Sequence, residues 1–119
     1  MKEIFKMTVS GLLSAAEPTP NQCVVEGHSS YAFEAILVFP GNTPLDINGF
    51  LIDTAEVKRM ITEAPLTGSC EQMHLQLKEL FCSRLPEVLA FRTTIKPDES
   101  CKGWIDFIFS TYPLYFSIL

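Results

Sequence analysis

The sequence predicts an α+β fold, in which an antiparallel sheet carries two helices on one face. Three observations lead to this prediction. Alternating apolar and polar residues mark two strands near the start of the 119-residue chain and two near its end. Between them, two stretches repeat apolar residues at helical spacing, each behind a capping signal. The predicted order is therefore strand, strand, helix, helix, strand, strand.

The first two strands are predicted from period-two patterns. Residues Ile4 to Leu13 alternate between apolar and polar side chains, and Pro18 and Pro20 then exclude a regular strand because they lack backbone donors. The second strand has one apolar face that we expect to be buried, formed by Tyr31, Phe33, Ala35, Leu37 and Phe39.

Both helices are predicted from capping signals followed by apolar stripes. Asp53 and Glu56 form a capping-box pattern before the stripe of Val57, Met60, Ile61 and Ala64. Ser69 and Gln72 repeat that pattern before the stripe of Met73, Leu77, Leu80 and Phe81. His74 lies in the second helix, where we predict a surface or half-buried residue.

The last two strands are predicted at Val88 to Lys96 and Gly103 to Ser110, with a turn at Pro97-Asp98 between them. The second of these strands places Ile105, Phe107 and Phe109 on one face. Trp104 and the aromatic residues that follow are expected in the core or at an interface.

Length and composition predict one domain spanning residues 1–119. Hydrophobic residues make up 47% of the chain, but charged residues interrupt every long apolar run, so we expect no membrane span. The same apolar surplus in a short chain favours a homo-oligomer. A net charge of -5 without a Lys/Arg cluster argues against a nucleic-acid partner.

Cysteine usage and the first residues favour a cytoplasmic protein. The four cysteines have no CxxC spacing, which is typical of free thiols in a reducing compartment. Lys2 and Lys6 before an apolar run weakly imitate a secretion signal, but Glu3 and the polar Thr8 and Ser10 argue against one.

A polar group precedes the second strand, formed by Cys23, Glu26 and His28. Glu26 and His28 are two residues apart, so they would project from the same side of an extended chain. A thiolate can serve as a nucleophile or base, and carboxylate and imidazole groups bind zinc, iron or manganese. The alternatives are a small buried thiol and a plain ion pair.

This arrangement resembles the 6-pyruvoyltetrahydropterin synthase and 6-carboxytetrahydropterin synthase family, in which a cysteine shortly precedes His-Gly-His-Ser and an aromatic-bearing strand. The counterpart here is Glu26-Gly27-His28-Ser29. GFLIDTAEVKRMI, from Gly49, is similar to the family's Gly-x-x-Ile-Asp-Phe and the lysine-containing helix after it. GSCEQ, from Gly68, is similar to Pro-Thr-x-Glu at the start of the next helix, and Asp98-Glu99-Ser100 to a Glu-Thr pair after the third strand.

The resemblance implies the tunnelling fold, whose subunits join their sheets into a barrel, here as a homotrimer or hexamer. It also implies that Glu99 anchors a pterin or purine-like ring, that Ser69 and Glu71 lie at the ligand-binding helix start, and that Cys23 is catalytic. Alternatively, Glu99 is a turn residue after Pro97-Asp98, and Glu71 responds to the helix dipole.

The chain departs from the family in the residues that carry its chemistry. Glu17, Glu26 and His28 fall where the family holds zinc with three histidines, so we expect less than one equivalent of zinc per chain. The family's Leu-Asp-His between the helices, its acid-base pair, has no counterpart in residues 64–68. Two functions follow as alternatives: a divergent pterin-binding relative that, if active, is a carbon-oxygen lyase, or a non-catalytic binding or assembly protein that keeps the fold.

Overall fold

The computed structural model describes residues 3–14, 30–96 and 103–119. The elements there follow the order β1 (Ile4–Ser14), β2 (Ser30–Pro40), α1 (Thr54–Thr62), α2 (Cys70–Arg84), β3 (Ala90–Lys96), β4 (Asp106–Ser110) and a 3₁₀ helix (Pro113–Ile118). The strands form one antiparallel sheet in the order β1-β2-β3-β4. The predicted α+β class is confirmed.

The aromatic face of β2 forms the centre of the core. Its side chains at alternate positions are all buried, as predicted, and their cross-strand neighbours lie on the same face. Leu37 is paired with Met7 on one side and Phe91 on the other, and all three are buried. The sheet therefore has one apolar inner face.

Both helices cover this inner face. α1 lies against β1 so closely that a Cβ atom at Gly11 would lie 2.7 Å from Lys58 Cε. α2 buries Met73, Leu77 and Phe81 of its apolar stripe and partly buries Leu80. The ring of Phe81 meets the ring of Phe91 edge-on at 5.1 Å between centroids. The face of the sheet away from the helices is called the outer face below.

The caps at the helix starts follow the sequence signals to different extents. Ser69 and Gln72 form the complete capping box that the sequence predicts for α2. Asp53 caps α1 by accepting a hydrogen bond from the backbone of Ala55, but Glu56 pairs with Arg59 at 3.1 Å. The α1 box is therefore half formed.

Two strands begin later than predicted. The Val88 N–H donates to the carbonyl of Leu85 in the turn that ends α2, so β3 begins at Ala90. β4 begins at Asp106, so Ile105 precedes the strand in which it was predicted to share a face with Phe107 and Phe109, and it is exposed. The predicted Pro97-Asp98 turn lies outside the described residues.

The C-terminal segment returns to β3. Arg92 extends from the outer face, and its Nη1 donates to the carbonyl of Leu119 at 3.4 Å. In the part of the chain that the structure describes, no helix is long and apolar enough to cross a membrane.

Candidate functional site

Strand pairing brings four strand ends together at one end of the sheet. β1 ends at Ser14 beside Ser30, where β2 begins. β3 ends at Lys96, and β4 begins at Asp106 beside Thr94. The chain segments 15–29 and 97–102 are both attached at this end, which is called the site end below.

Most of the site residues predicted from the sequence belong to these two segments. The predicted catalytic residue, metal ligands and ring anchor lie outside the described residues: Cys23, Glu17, Glu26, His28 and Glu99. Their attachment at one end of the sheet is a consequence of the strand order. Among the residues that are described, no group of three or more His, Cys, Asp or Glu side chains is placed to hold a metal ion.

Ser69 and Glu71, the other two predicted ligand-binding residues, lie at the start of α2. The Ser69 hydroxyl oxygen accepts a hydrogen bond from the backbone of Gln72 at 3.1 Å, and the Gln72 side chain accepts one from the Ser69 N–H at 2.7 Å. Glu71 is exposed in the first turn, where a carboxylate interacts favourably with the helix dipole. Ser69 therefore has a structural role in the cap, and Glu71 is accessible to a ligand.

His74 corrects the sequence prediction. We predicted a surface or half-buried residue, but the side chain is 1% exposed. Its Nδ1 lies 2.6 Å from Thr93 Oγ1 and its Nε2 lies 2.7 Å from the carbonyl oxygen of Ile105. Because a carbonyl accepts but cannot donate, Nε2 carries the proton and Nδ1 accepts from the Thr93 hydroxyl. His74 thus joins α2 to β3 and to the residue before β4.

The surroundings of His74 keep its imidazole neutral. Burial lowers the pKa of His74 below its ordinary value of 6.5 and outweighs three groups that raise it, the carbonyl of Ile105 and the carboxylates of Asp106 and Glu71. The ring also stacks on Phe107 at 6.3 Å between centroids. With both ring nitrogens occupied, His74 braces the start of α2 beside the site end and has no nitrogen free for a ligand.

A pocket of about 270 Å³ lies on the outer face. Ser10, Glu34 and Thr94 are cross-strand neighbours in its floor. Its complete lining is Ser10, Ala32, Phe33, Glu34, Arg92, Thr94, Lys96 and Trp104. Most of these side chains are polar, and both signs of charge are present.

The pocket walls are held by two specific contacts. Lys96 Nζ lies 3.7 Å from the centroid of the Trp104 ring, a cation–π contact. Arg92 donates to Asp106 Oδ2 from Nε at 2.9 Å and from Nη2 at 2.5 Å. Trp104 and Arg92 are therefore positioned by their neighbours.

Sequence reasoning missed this pocket. The available signal was weak: Arg92, Thr94 and Lys96 alternate with the buried residues of β3, which puts all three on the outer face. Their juxtaposition with Glu34 depends on the register of β2 against β3, which local sequence does not specify.

No protein-family model matches the sequence, and a comparison with curated proteins also found no match.

Proposed function

We propose that this chain is a divergent relative of the 6-pyruvoyltetrahydropterin and 6-carboxytetrahydropterin synthases that binds a pterin or purine-like ring in the cytoplasm. One observation carries the proposal: the antiparallel sheet attaches segments 15–29 and 97–102 at the same end. These segments contain Cys23, His28 and Glu99, the residues on which the sequence resemblance depends.

Glu99 is the proposed anchor of the ring. A carboxylate can accept two hydrogen bonds from the 2-amino group and the ring N–H of a pterin or guanine. This recognition needs no metal ion. It is therefore compatible with the replacement of two family histidines by Glu17 and Glu26.

The start of α2 lies near Ile105, which follows the segment that contains Glu99 in the sequence. Glu71 is near enough to His74 to raise its pKa, and His74 binds the carbonyl of Ile105, shortly after residue 102. Glu71 is exposed, so its carboxylate is available to a second polar group of the same ligand. This proximity supports a shared site for Glu99, Glu71 and the helix start at Ser69.

The sheet edges support the proposed assembly into a homotrimer or hexamer. β1 and β4 are the outer strands of the described sheet, and each pairs on one side within the chain. An open strand edge favours pairing with another chain. Leu12 on β1 and Ile108 on β4 are exposed apolar side chains that such pairing could bury. We propose that β1 of one subunit joins β4 of the next, which closes the barrel of the tunnelling fold.

A second candidate, a non-catalytic binding or assembly protein, is favoured by the connection between the helices. Backbone hydrogen bonds tighten this connection from Ala64 to Ile61 and from Leu66 to Ala64, and Leu66 is buried. Residues 64–68 contain no Asp or His, so they supply no counterpart of the acid-base pair with which Cys23 would work. If activity is retained, we propose a slow carbon-oxygen lyase.

Calorimetry with neopterin, biopterin and guanine, combined with elemental analysis of the untagged protein, tests the proposal. Saturable binding of one of these rings with less than one equivalent of zinc is the expected result. Failure to bind any of the three would overturn it. Turnover of dihydroneopterin triphosphate that is lost in Cys23→Ala would favour the enzyme over the binding protein.

A further inference from the structure

We infer that the outer-face pocket binds a small zwitterion of the α-amino acid class, with the ligand carboxylate towards Lys96 and the ligand ammonium towards Glu34. This inference is independent of the ring site proposed above. It depends on the charges, size and aromatic wall of the pocket.

Glu34 and Lys96 present opposite charges to one cavity without neutralising each other. In the register of β2 against β3, Glu34 lies opposite Thr94 and Lys96 lies opposite Ala32. The two charged residues are therefore diagonal neighbours on adjacent strands. The ion pairs found among the described residues join Glu56 to Arg59 and Arg92 to Asp106. Glu34 and Lys96 belong to neither pair, so each can bind a ligand group of opposite charge.

The cationic side of the pocket suits a carboxylate. Arg92 lines the same cavity, and its contacts with Asp106 and with the carbonyl of Leu119 use three of its five N–H donors, which leaves two for a ligand. Lys96 is held against Trp104. A ligand carboxylate here would face the Lys96 ammonium and the remaining N–H donors of Arg92, whose charge is partly offset by Asp106, and charge-assisted hydrogen bonds are the stronger class.

Glu34 makes the pocket selective against simple anions. A phosphate or dicarboxylate placed near Lys96 would leave the Glu34 carboxylate facing another negative charge, which is unfavourable. A ligand with an ammonium group removes that repulsion. Trp104 is 47% exposed, and its ring offers an apolar surface to a ligand side chain. A pocket of about 270 Å³ suits a ligand of amino acid size rather than a nucleotide.

Trp104 allows a direct experiment because it is the single tryptophan of the chain. Three probes share one ring and differ in charge: L-phenylalanine, 3-phenylpropionate without the ammonium, and phenethylamine without the carboxylate. Titrations would follow tryptophan fluorescence and the indole N–H signal in nuclear magnetic resonance spectra. We expect L-phenylalanine to saturate the signal and each analogue to bind at least about tenfold more weakly, the loss expected for one charged hydrogen bond.

Variants assign each charge to its residue. Lys96→Met should weaken L-phenylalanine and 3-phenylpropionate at least about tenfold and leave phenethylamine nearly unchanged. Glu34→Gln should weaken L-phenylalanine and phenethylamine at least about tenfold and should not weaken 3-phenylpropionate. Lys6→Met is the matched control, because Lys6 is exposed on β1 and does not line the pocket. Equal affinity for the three probes, no response of Trp104 to L-phenylalanine, or an equal loss in Lys6→Met would overturn the inference.

Discussion

His74 Nδ1 and Thr93 Oγ1 lie 2.6 Å apart in a buried hydrogen bond that joins α2 to β3. Both side chains are 1% exposed, so water cannot replace either partner. A buried polar atom that loses its partner costs free energy, because nothing restores the hydrogen bond that it makes in water. This contact is therefore expected to stabilise the packing of α2 against the sheet.

Thr93→Val tests that contact. Valine has a similar shape but no hydroxyl, so His74 Nδ1 loses its donor, and the free energy of unfolding should fall by about 1–3 kcal/mol. Thr94→Val is the matched control, because Thr94 is partly exposed on the outer face. Urea unfolding should show the larger loss of stability for Thr93→Val. Equal losses in the two variants would show that the His74–Thr93 hydrogen bond does not stabilise the packing of α2.

The depressed pKa of His74 predicts a pH dependence of stability. The unfolded chain binds the proton near its ordinary pKa of 6.5, whereas the folded chain binds it at a lower pH because burial disfavours the charged ring. The stabilising contribution is therefore present above pH 6.5 and is lost as the pH falls through the folded pKa.

Urea unfolding between about pH 7.5 and pH 5 measures this effect, since ordinary carboxylates titrate below that window. His74→Gln should lower stability at neutral pH and flatten the pH dependence. His28→Gln, which removes the other histidine of the sequence, should retain the slope that His74 causes. An unchanged slope in His74→Gln would show that His74 does not titrate in this range.

Much of the fold could be predicted because its signals are local. The alternating residues of β2 are close to one another in the sequence, and so are Ser69 and Gln72 of the capping box. Both features formed as predicted. The later start of β4 was missed because Ile105 fits the alternation of Phe107 and Phe109, yet its carbonyl accepts a hydrogen bond from His74. His74 is 31 residues away in the sequence.

The candidate site was less predictable for the same reason. His74 looked like a helix surface residue because its partners, Thr93 and Ile105, are 19 and 31 residues away. The outer-face pocket also depends on the pairing of β2 with β3. The predictions for Ser69 and Glu71 as ligand-binding residues came from resemblance, and they stay predictions.

Gly68→Ala should destabilise the protein more than Gly49→Ala does. Both glycines have a positive φ, 89° at Gly68 and 83° at Gly49, which costs a side-chain-bearing residue about 1–2 kcal/mol. A Cβ atom at Gly68 would also collide with the Gln72 side chain that caps Ser69, whereas Gly49 has open space. Loss of a cap adds about 0.5–2 kcal/mol. Urea unfolding of both variants measures the difference, and equal costs would exclude a contribution from the cap.

The oligomer prediction can be tested through the edge strand β1. Leu12 is 70% exposed there, and light scattering of the parent protein should show a trimer or hexamer. Leu12→Glu should shift the protein towards smaller species, because it places a charge where two subunits are proposed to meet. Leu45→Glu replaces another exposed leucine outside the strands and should leave the assembly intact. A stable parent monomer at micromolar concentration would contradict the prediction.

The most direct test of ring binding is calorimetry of Glu99→Gln with the ring that the parent protein binds. Glutamine loses the charge and one acceptor, so we predict that affinity falls at least about tenfold, in line with the loss of one charged hydrogen bond. Glu87→Gln is the control, because Glu87 is exposed just before β3, at the opposite end of that strand from the site end. Equal affinity of the parent and Glu99→Gln would contradict the proposed anchor, whereas a loss confined to Glu99→Gln is the predicted result.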